Sequence, residues 1–175
     1  MCSIKDFFRK YSFIIAIAVL SPIIIAPFVY ADDEGAVNAT VTVTNVSLTV
    51  SDGGITYGTL AVSSTKDTTS TGLDDSQVVT NNGNVAIDVA VKGVDVSPWS
   101  LAGTAGSEAY THKTCVADCD SSPSWTAMTT SYGSDILSDV AVDATPNVDF
   151  QIGTPTSTAS FTEKNVNVSL LATEH

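Results

Sequence analysis

The sequence predicts an all-β domain, built as two stacked antiparallel sheets of about seven to nine strands, after an N-terminal signal or anchor helix. Apolar residues, mostly Val and Ile, alternate with polar ones along several short stretches, as strands with one buried face require. Turn-forming Gly, Asn and Asp separate these stretches. After the N-terminal segment, apolar residues nowhere recur at three- and four-residue spacing over a dozen positions, so no helix of consequence is expected there.

The N-terminus has the charge and hydropathy layout of a secretory signal. Lys5, Arg9 and Lys10 precede residues 11–31, which carry no charged side chain, and small residues stand three positions and one position before a cut after Ala31. Cleavage after Ala31 is the preferred interpretation. An uncleaved membrane anchor is the alternative, because 21 uncharged residues in a helix rise about 32 Å, enough to cross a hydrocarbon core. The positive flank places the remaining chain outside the cytoplasm in either case.

The predicted organisation is therefore a signal peptide or anchor, 1–31, and one domain, 32–175. The domain contains 18 Asp and Glu against 4 Lys, a formal charge of 4 − 18 = −14, which makes nucleic acid a poor partner. Asp outnumbers Glu by 14 to 4, and Asp suits turns because its carboxylate bonds to nearby backbone amides. Much of the acidity is thus expected to be turn chemistry. No cofactor is expected, and the membrane is a partner only through an uncleaved N-terminal segment.

The first strand is expected over residues 37–50, where Val and Leu alternate with Thr, Asn and Ser. The alternation shifts by one residue between Val43 and Val46, so the apolar side changes face. A bulge or a change of sheet would produce such a shift. A turn at residues 51–54 leads to a short apolar run, 55–60, and a polar Ser/Thr-rich connection follows at 63–75.

The clearest hairpin is predicted from two stretches, 77–80 and 85–91, that flank an Asn-Asn-Gly-Asn turn at 81–84. The Asn-Gly step favours the positive backbone angles that tight hairpin turns need. The rest of the chain is expected to hold weakly patterned strands within 100–134 and two alternating strands, 148–152 and 164–173.

The run from Val79 to Val89, with Pro98 and Trp99 after a gap, resembles a hairpin common in bacterial and archaeal surface modules of the immunoglobulin-like type. Such modules are appended to exported enzymes and occur in envelope proteins. The resemblance is centred on residues 79–99. It implies an immunoglobulin-like antiparallel β-sandwich at the cell surface or outside the cell, where such modules serve as spacers, adhesion elements or matrix subunits.

Cys115 and Cys119 are the only cysteines after the N-terminal segment, and three residues separate them. In an exported protein this spacing predicts a local disulfide. The alternative is a metal site of the His-x-x-Cys-x-x-x-Cys pattern, which adds His112, with Asp118 or Asp120 as a further ligand.

Two acidic pairs in loops are weak candidates for a calcium site: Asp74, Asp75, Asp118 and Asp120. Calcium takes six or more oxygen ligands, and the chain has no Asp-rich twelve-residue loop that ends in Glu. Solvated turns are the favoured interpretation of these four residues, and no metal is expected.

An aromatic platform for sugar rings would use Trp125, Tyr110 and Tyr132, although packing in the core explains aromatic residues equally well. Trp125 lies in a Ser/Thr-rich loop, so it is the best candidate for an exposed ring. Trp99 follows a proline and is expected to be half-buried.

No pattern of nucleophile and base is present: His112 is the sole interior histidine, and no Gly-x-Ser-x-Gly accompanies it. The expected function is a non-enzymatic exported structural or adhesion module. Its expected partners are envelope or matrix proteins, or further copies of itself, joined through exposed sheet edges such as the terminal strand. The alternatives are a carbohydrate-binding module, with glycans as ligands, and a hydrolase with dispersed carboxylates.

Overall fold

The computed structural model of the chain describes residues 36–175. The predicted signal peptide or anchor, 1–31, lies outside the described residues. The chain divides into one unit that ends at Val41 and a second unit, Thr42–His175. In the first unit, residues 36–41 are exposed and form no strand. Within residues 36–175, no helix is long and apolar enough to cross a membrane.

The described part contains ten strands and no helix, so the all-β prediction is confirmed there. The number exceeds the expected seven to nine because several strands have only two or three residues. The strands are β1 Leu48–Val50, β2 Thr65–Asp67, β3 Gln77–Asn81, β4 Ile87–Lys92, β5 Ser100–Leu101, β6 Ala109–Cys115, β7 Thr126–Ala127, β8 Asp135–Val140, β9 Asn147–Gly153 and β10 Ser169–Glu174.

The strands form two sheets. The larger has seven strands in the order β1-β3-β9-β6-β5, with β2 also paired to β9 and β7 to β6, and the smaller has the order β10-β4-β8. Every pair is antiparallel except β5 with β6, which is parallel. The prediction of antiparallel sheets therefore fails at one short strand.

One hydrophobic cluster receives side chains from both sheets. Strand alternation turns every second residue of β4 inward, and the same period operates in β3 and β9. Burying each of these aliphatic or aromatic side chains contributes about 1.5–3 kcal/mol relative to exposure in water. The cluster contains Val79, Val148 and Phe150 from the larger sheet, Ile87, Val89, Val91 and Val140 from the smaller, and Met128.

The predicted hairpin at 77–91 is wrong, although both of its strands exist. β3 lies in the larger sheet and β4 in the smaller, so the Asn-Gly turn connects two sheets instead of two paired strands. Both edges of β3 are occupied, one by β1 and the other by β9 and the residues before it, because Asn81 N–H donates to Ala144 O and Val79 N–H to Pro146 O. No edge of β3 is left for β4.

The Asn81 side chain joins the two sheets at this crossover. It is fully buried, and its Nδ2 donates to Val85 O and to Val140 O, both at 2.9 Å. Its Oδ1 accepts the Gly83 amide, also at 2.9 Å. Gly83 is required here because a Cβ at this position would stand 2.3 Å from Asn45 O.

Only the end of the strand predicted at 37–50 forms, as β1. Where the alternation was predicted to shift, the backbone is bonded to the Asn84 side chain and not to a neighbouring strand. Asn84 Oδ1 accepts the Asn45 amide at 2.7 Å, and its Nδ2 donates to Val43 O at 2.8 Å. The final strand begins later than predicted, at Ser169.

Candidate functional site

The two cysteines close a small loop, residues 115–119, at the end of β6. Their sulfurs lie 2.11 Å apart, at disulfide distance, which agrees with the predicted pairing. Asp118 adopts φ +53° inside this disulfide loop, and its carbonyl accepts the amides of Ser121 and Ser122. The loop is a compact turn on the surface, attached to a buried Cys115.

The alternative metal site is not assembled, because His112 lies in the core. It is 2 % exposed, its Nε2 is 3.0 Å from the Tyr57 hydroxyl oxygen, and its ring packs against Phe150 with centroids 6.0 Å apart. Among residues 36–175, no group of three His, Cys, Asp or Glu side chains could hold a metal ion.

The four acidic candidates lie in loops, and three of them act within their own turn. Asp74 and Asp118 occupy left-handed turn positions, with φ of +54° and +53°. Asp75 Oδ1 accepts from Gln77 Nε2 at 3.1 Å. Asp120 Oδ1 accepts the Ser70 amide at 2.7 Å, and this hydrogen bond lowers the pKa of Asp120. Asp74, Asp75 and Asp118 therefore act within their own turns, whereas Asp120 links its loop to the loop that contains Ser70.

An open polar cleft of about 290 Å³ lies beside the disulfide loop, lined in part by Asp118, Asp120 and Asp149. Asp149 is buried, and its Oδ1 accepts from the hydroxyls of Thr68, at 2.8 Å, and Ser76, at 2.6 Å. This acid could not be recognised as a site residue beforehand, because it alternates with apolar residues inside β9 as any polar strand residue would.

Tyr110 is fully buried, so its predicted place in a sugar-binding platform is wrong. Its hydroxyl donates to Val94 O, and its ring centroid lies 6.2 Å from that of Trp99. Burial raises the pKa of Tyr110 to about 12. Trp99 is half-buried, as expected, and its indole N–H donates to Thr158 Oγ1 at 2.8 Å.

The other two aromatic candidates remain near the surface without forming a platform. Trp125 is half-buried, less exposed than the sequence suggested. Tyr132 is 37 % exposed, and Lys92 Nζ lies 4.7 Å from its ring centroid, a cation–π distance. In the described part of the chain, no ring contact joins Trp125 to Tyr132.

The most unusual surface feature is a short stretch of exposed valines, residues 37–43, here called the valine segment. Val37 is 91 % exposed, Val41 90 % and Val43 78 %. These residues keep the two-residue period of a strand, yet they form none. No charged residue occurs between Ala36 and Ser51, although the domain carries a large negative charge. A charge-free strand pattern with its apolar side in water is a surface suited to pairing.

A second unpaired feature is the outer edge of β10. This strand pairs with β4 over all six of its residues, Ser169–Glu174, without a register shift. Among residues 36–175, no strand lies on its other side. Val168, Leu170 and Ala172 pack against the hydrophobic cluster but are only half-buried. The edge of the smaller sheet therefore leaves part of the core uncovered.

No protein-family model matches the chain, and neither the curated proteins nor the solved structures gave a match.

Proposed function

We propose that the chain is an exported, non-enzymatic structural module that assembles with further copies of itself outside the cell. Assembly occurs when the valine segment of one copy adds as a strand to a sheet of another copy. The observation that carries this proposal is the exposure of Val37, Val41 and Val43 in an uncharged stretch that has the two-residue period of a strand.

We further propose that the two sheets form an immunoglobulin-like sandwich and that residues 1–31 direct export. The shared hydrophobic cluster supports the sandwich, because stacked sheets bury one face of each against the other. The positive and apolar pattern before Ala31 supports export, and a position outside the cell follows from it. The surface-module resemblance at residues 79–99 points to the same class of protein.

The energetics favour assembly only if the whole segment pairs. Burying Val37 and Val41, the two valines outside the part that Asn84 holds, contributes about 1.5–3 kcal/mol each, and each new backbone hydrogen bond contributes about 0.5–1.5 kcal/mol net. Association costs about 4–15 kcal/mol in lost freedom of motion. The valines alone can fall short of that cost, so the backbone ladder is needed as well. Replacing Val41, the central valine, should then abolish assembly at moderate protein concentration.

The contact proposed here joins two different surfaces, a segment and an edge. A contact of this heterologous kind repeats from copy to copy, and it produces filaments or closed rings. The formal charge of −14 opposes association, and salt screens that repulsion over about 8 Å at physiological ionic strength. Assembly should therefore strengthen as salt is added.

The proposal that the module is not an enzyme is supported by the position of His112. It is the only histidine between the N-terminus and His175, so it would be the natural general base. Its ring is buried against Phe150, and its Nε2 lies at hydrogen-bond distance from Tyr57. A substrate in solution has no access to it.

The test compares the protein recovered after export with two variants. Val41→Glu places a charge on the apolar side of the segment, and Thr42→Glu places the same charge on its other side. Sedimentation velocity and electron microscopy should show assemblies for the unaltered protein and for Thr42→Glu, and monomers for Val41→Glu. Both variants should melt like the unaltered monomer, since both side chains are exposed. Monomers of the unaltered protein at every concentration and salt would overturn the proposal.

A further inference from the structure

We infer that the outer edge of β10 accepts the valine segment of a neighbouring copy. This inference rests on the proposed function, and it names the surface that completes the contact. The occupant is a second copy of this chain, because the valine segment supplies an uncharged partner with the two-residue period of a strand and with exposed valines.

The other edges offer poorer templates. In the larger sheet, the outer strands β1, β2, β5 and β7 have only two or three residues each. In the smaller sheet, β8 pairs with β4 through two register shifts, and its Asp139 adopts φ +53°. Irregular, acidic edges of this kind discourage strand addition. β10 is the one regular six-residue edge in the described part.

The outer edge of β10 presents backbone N–H and C=O groups to an added strand. In an antiparallel pair, every second residue of a strand forms its backbone hydrogen bonds with the neighbouring strand. His175 N–H donates to Ala86 O at 3.1 Å, so His175 and every second residue before it bond towards β4. The alternation directs the N–H and C=O groups of Leu170, Ala172 and Glu174 away from β4. Within residues 36–175 these groups have no other backbone partner, so a new strand would find a row of donors and acceptors.

The side chains also match. Leu170 and Ala172 lie on the core side of β10 and stay half-buried, because no strand covers their flank in the described structure. A strand added beside them would place alternate valines on the same side, as the two-residue period requires. The added valines would extend the core by one strand and cover the exposed flank.

The lengths agree as well. Asn84 holds the chain at Val43 and Asn45, so residues 36–42 are the part free to pair elsewhere. Seven residues span about 23 Å as a strand, and the six of β10 span about 20 Å. The free part of the valine segment can therefore cover the whole edge.

The test uses two variants that each disable one half of the contact. Val41→Glu disables the segment. Ala172→Pro removes an N–H that faces away from β4 and puts a ring in the path of an added strand, so it disables the edge and spares the β4 ladder. Each variant alone should be a folded monomer. A mixture of the two should form one-to-one dimers that grow no further, because one working segment and one working edge remain.

The outcomes separate the inference from the proposed function. If Ala172→Pro assembles like the unaltered protein while Val41→Glu does not, the inference is overturned and the proposed function stands. Folded variants that form no dimer on mixing would also overturn it. Hydrogen exchange on the unaltered assembly decides the matter without substitutions: the amides of Leu170 and Ala172 should exchange at least about tenfold more slowly than in the monomer. Equal exchange rates in assembly and monomer would refute the acceptor edge.

Discussion

Acid should destabilise the fold through His112, whose environment suits only the neutral imidazole. The ring is buried, its Nε2 lies 3.0 Å from the Tyr57 hydroxyl oxygen, and its Nδ1 is a buried atom without a hydrogen-bond partner in the described structure. Burial lowers the pKa of His112 from 6.5 to about 4, because the core cannot solvate the charged ring. The unfolded chain keeps the ordinary value.

The size of the effect follows from that difference. Above pH 6.5 the ring is neutral in both the folded and the unfolded chain, and its contribution to stability is fully present. Between pH 6.5 and about pH 4, the His112 ring is protonated in the unfolded chain and neutral in the folded chain, so protonation favours unfolding. The free energy of unfolding should therefore fall by about 3 kcal/mol between pH 7 and pH 4.

Denaturant unfolding of the unaltered protein and of His112→Gln, at pH 7 and at pH 4, measures this effect. All other ionisable groups are the same in the two proteins, so their contributions cancel in the difference between the two. The unaltered protein should be the more stable at pH 7, and its advantage should shrink by about 3 kcal/mol at pH 4. An advantage that stays constant to within about 0.5 kcal/mol would refute the argument that burial keeps this ring neutral.

Reducing the disulfide is expected to lower the free energy of unfolding by about 2 kcal/mol, since it closes a short loop; melts with and without reductant measure this, and loss of the fold would contradict it. Asn81→Ala should cost about 2–4 kcal/mol, because three hydrogen bonds vanish and Val140 O loses a partner, while the exposed control Asn82→Ala should cost under about 1 kcal/mol. Equal losses would show that Asn81 does not join the sheets. In an NMR titration the pKa of His175 should lie above its ordinary value, owing to its hydrogen bond with Asp88, and Asp88→Asn should abolish the rise. An unchanged titration in that variant would contradict this origin.

Local periodicity predicted the strands better than it predicted their partners. The alternation of Val85 to Val91 identified β4, and the alternation at 148–152 identified β9, because a two-residue period depends only on neighbouring residues. Whether two strands pair depends on which edges are already occupied. Both edges of β3 are taken, so an Asn-Gly turn that usually closes a hairpin connects two sheets instead.

The same limit applies to the candidate sites. The disulfide could be predicted because its two cysteines are neighbours in sequence, and the turn role of Asp74 and Asp118 because Asp accepts left-handed backbone angles. The burial of Tyr110 could not be predicted, because it depends on Trp99 and on the other strands that enclose it. Likewise the valine segment carries the pattern of a strand, but the exposure of its valines could be seen only in the structure.

The assembly proposed here depends on where export cuts the chain. Cleavage after Ala31, as predicted, would leave the valine segment close to a new N-terminus, behind Asp32, Asp33 and Glu34. A free end can approach an open sheet edge without threading a loop, whereas a retained leader would tether the segment to the membrane. Three acids beside an uncharged strand would also keep single copies apart at low ionic strength and permit pairing when salt screens them. Cleavage and screening would then both favour pairing, and cleavage is the condition that depends on export.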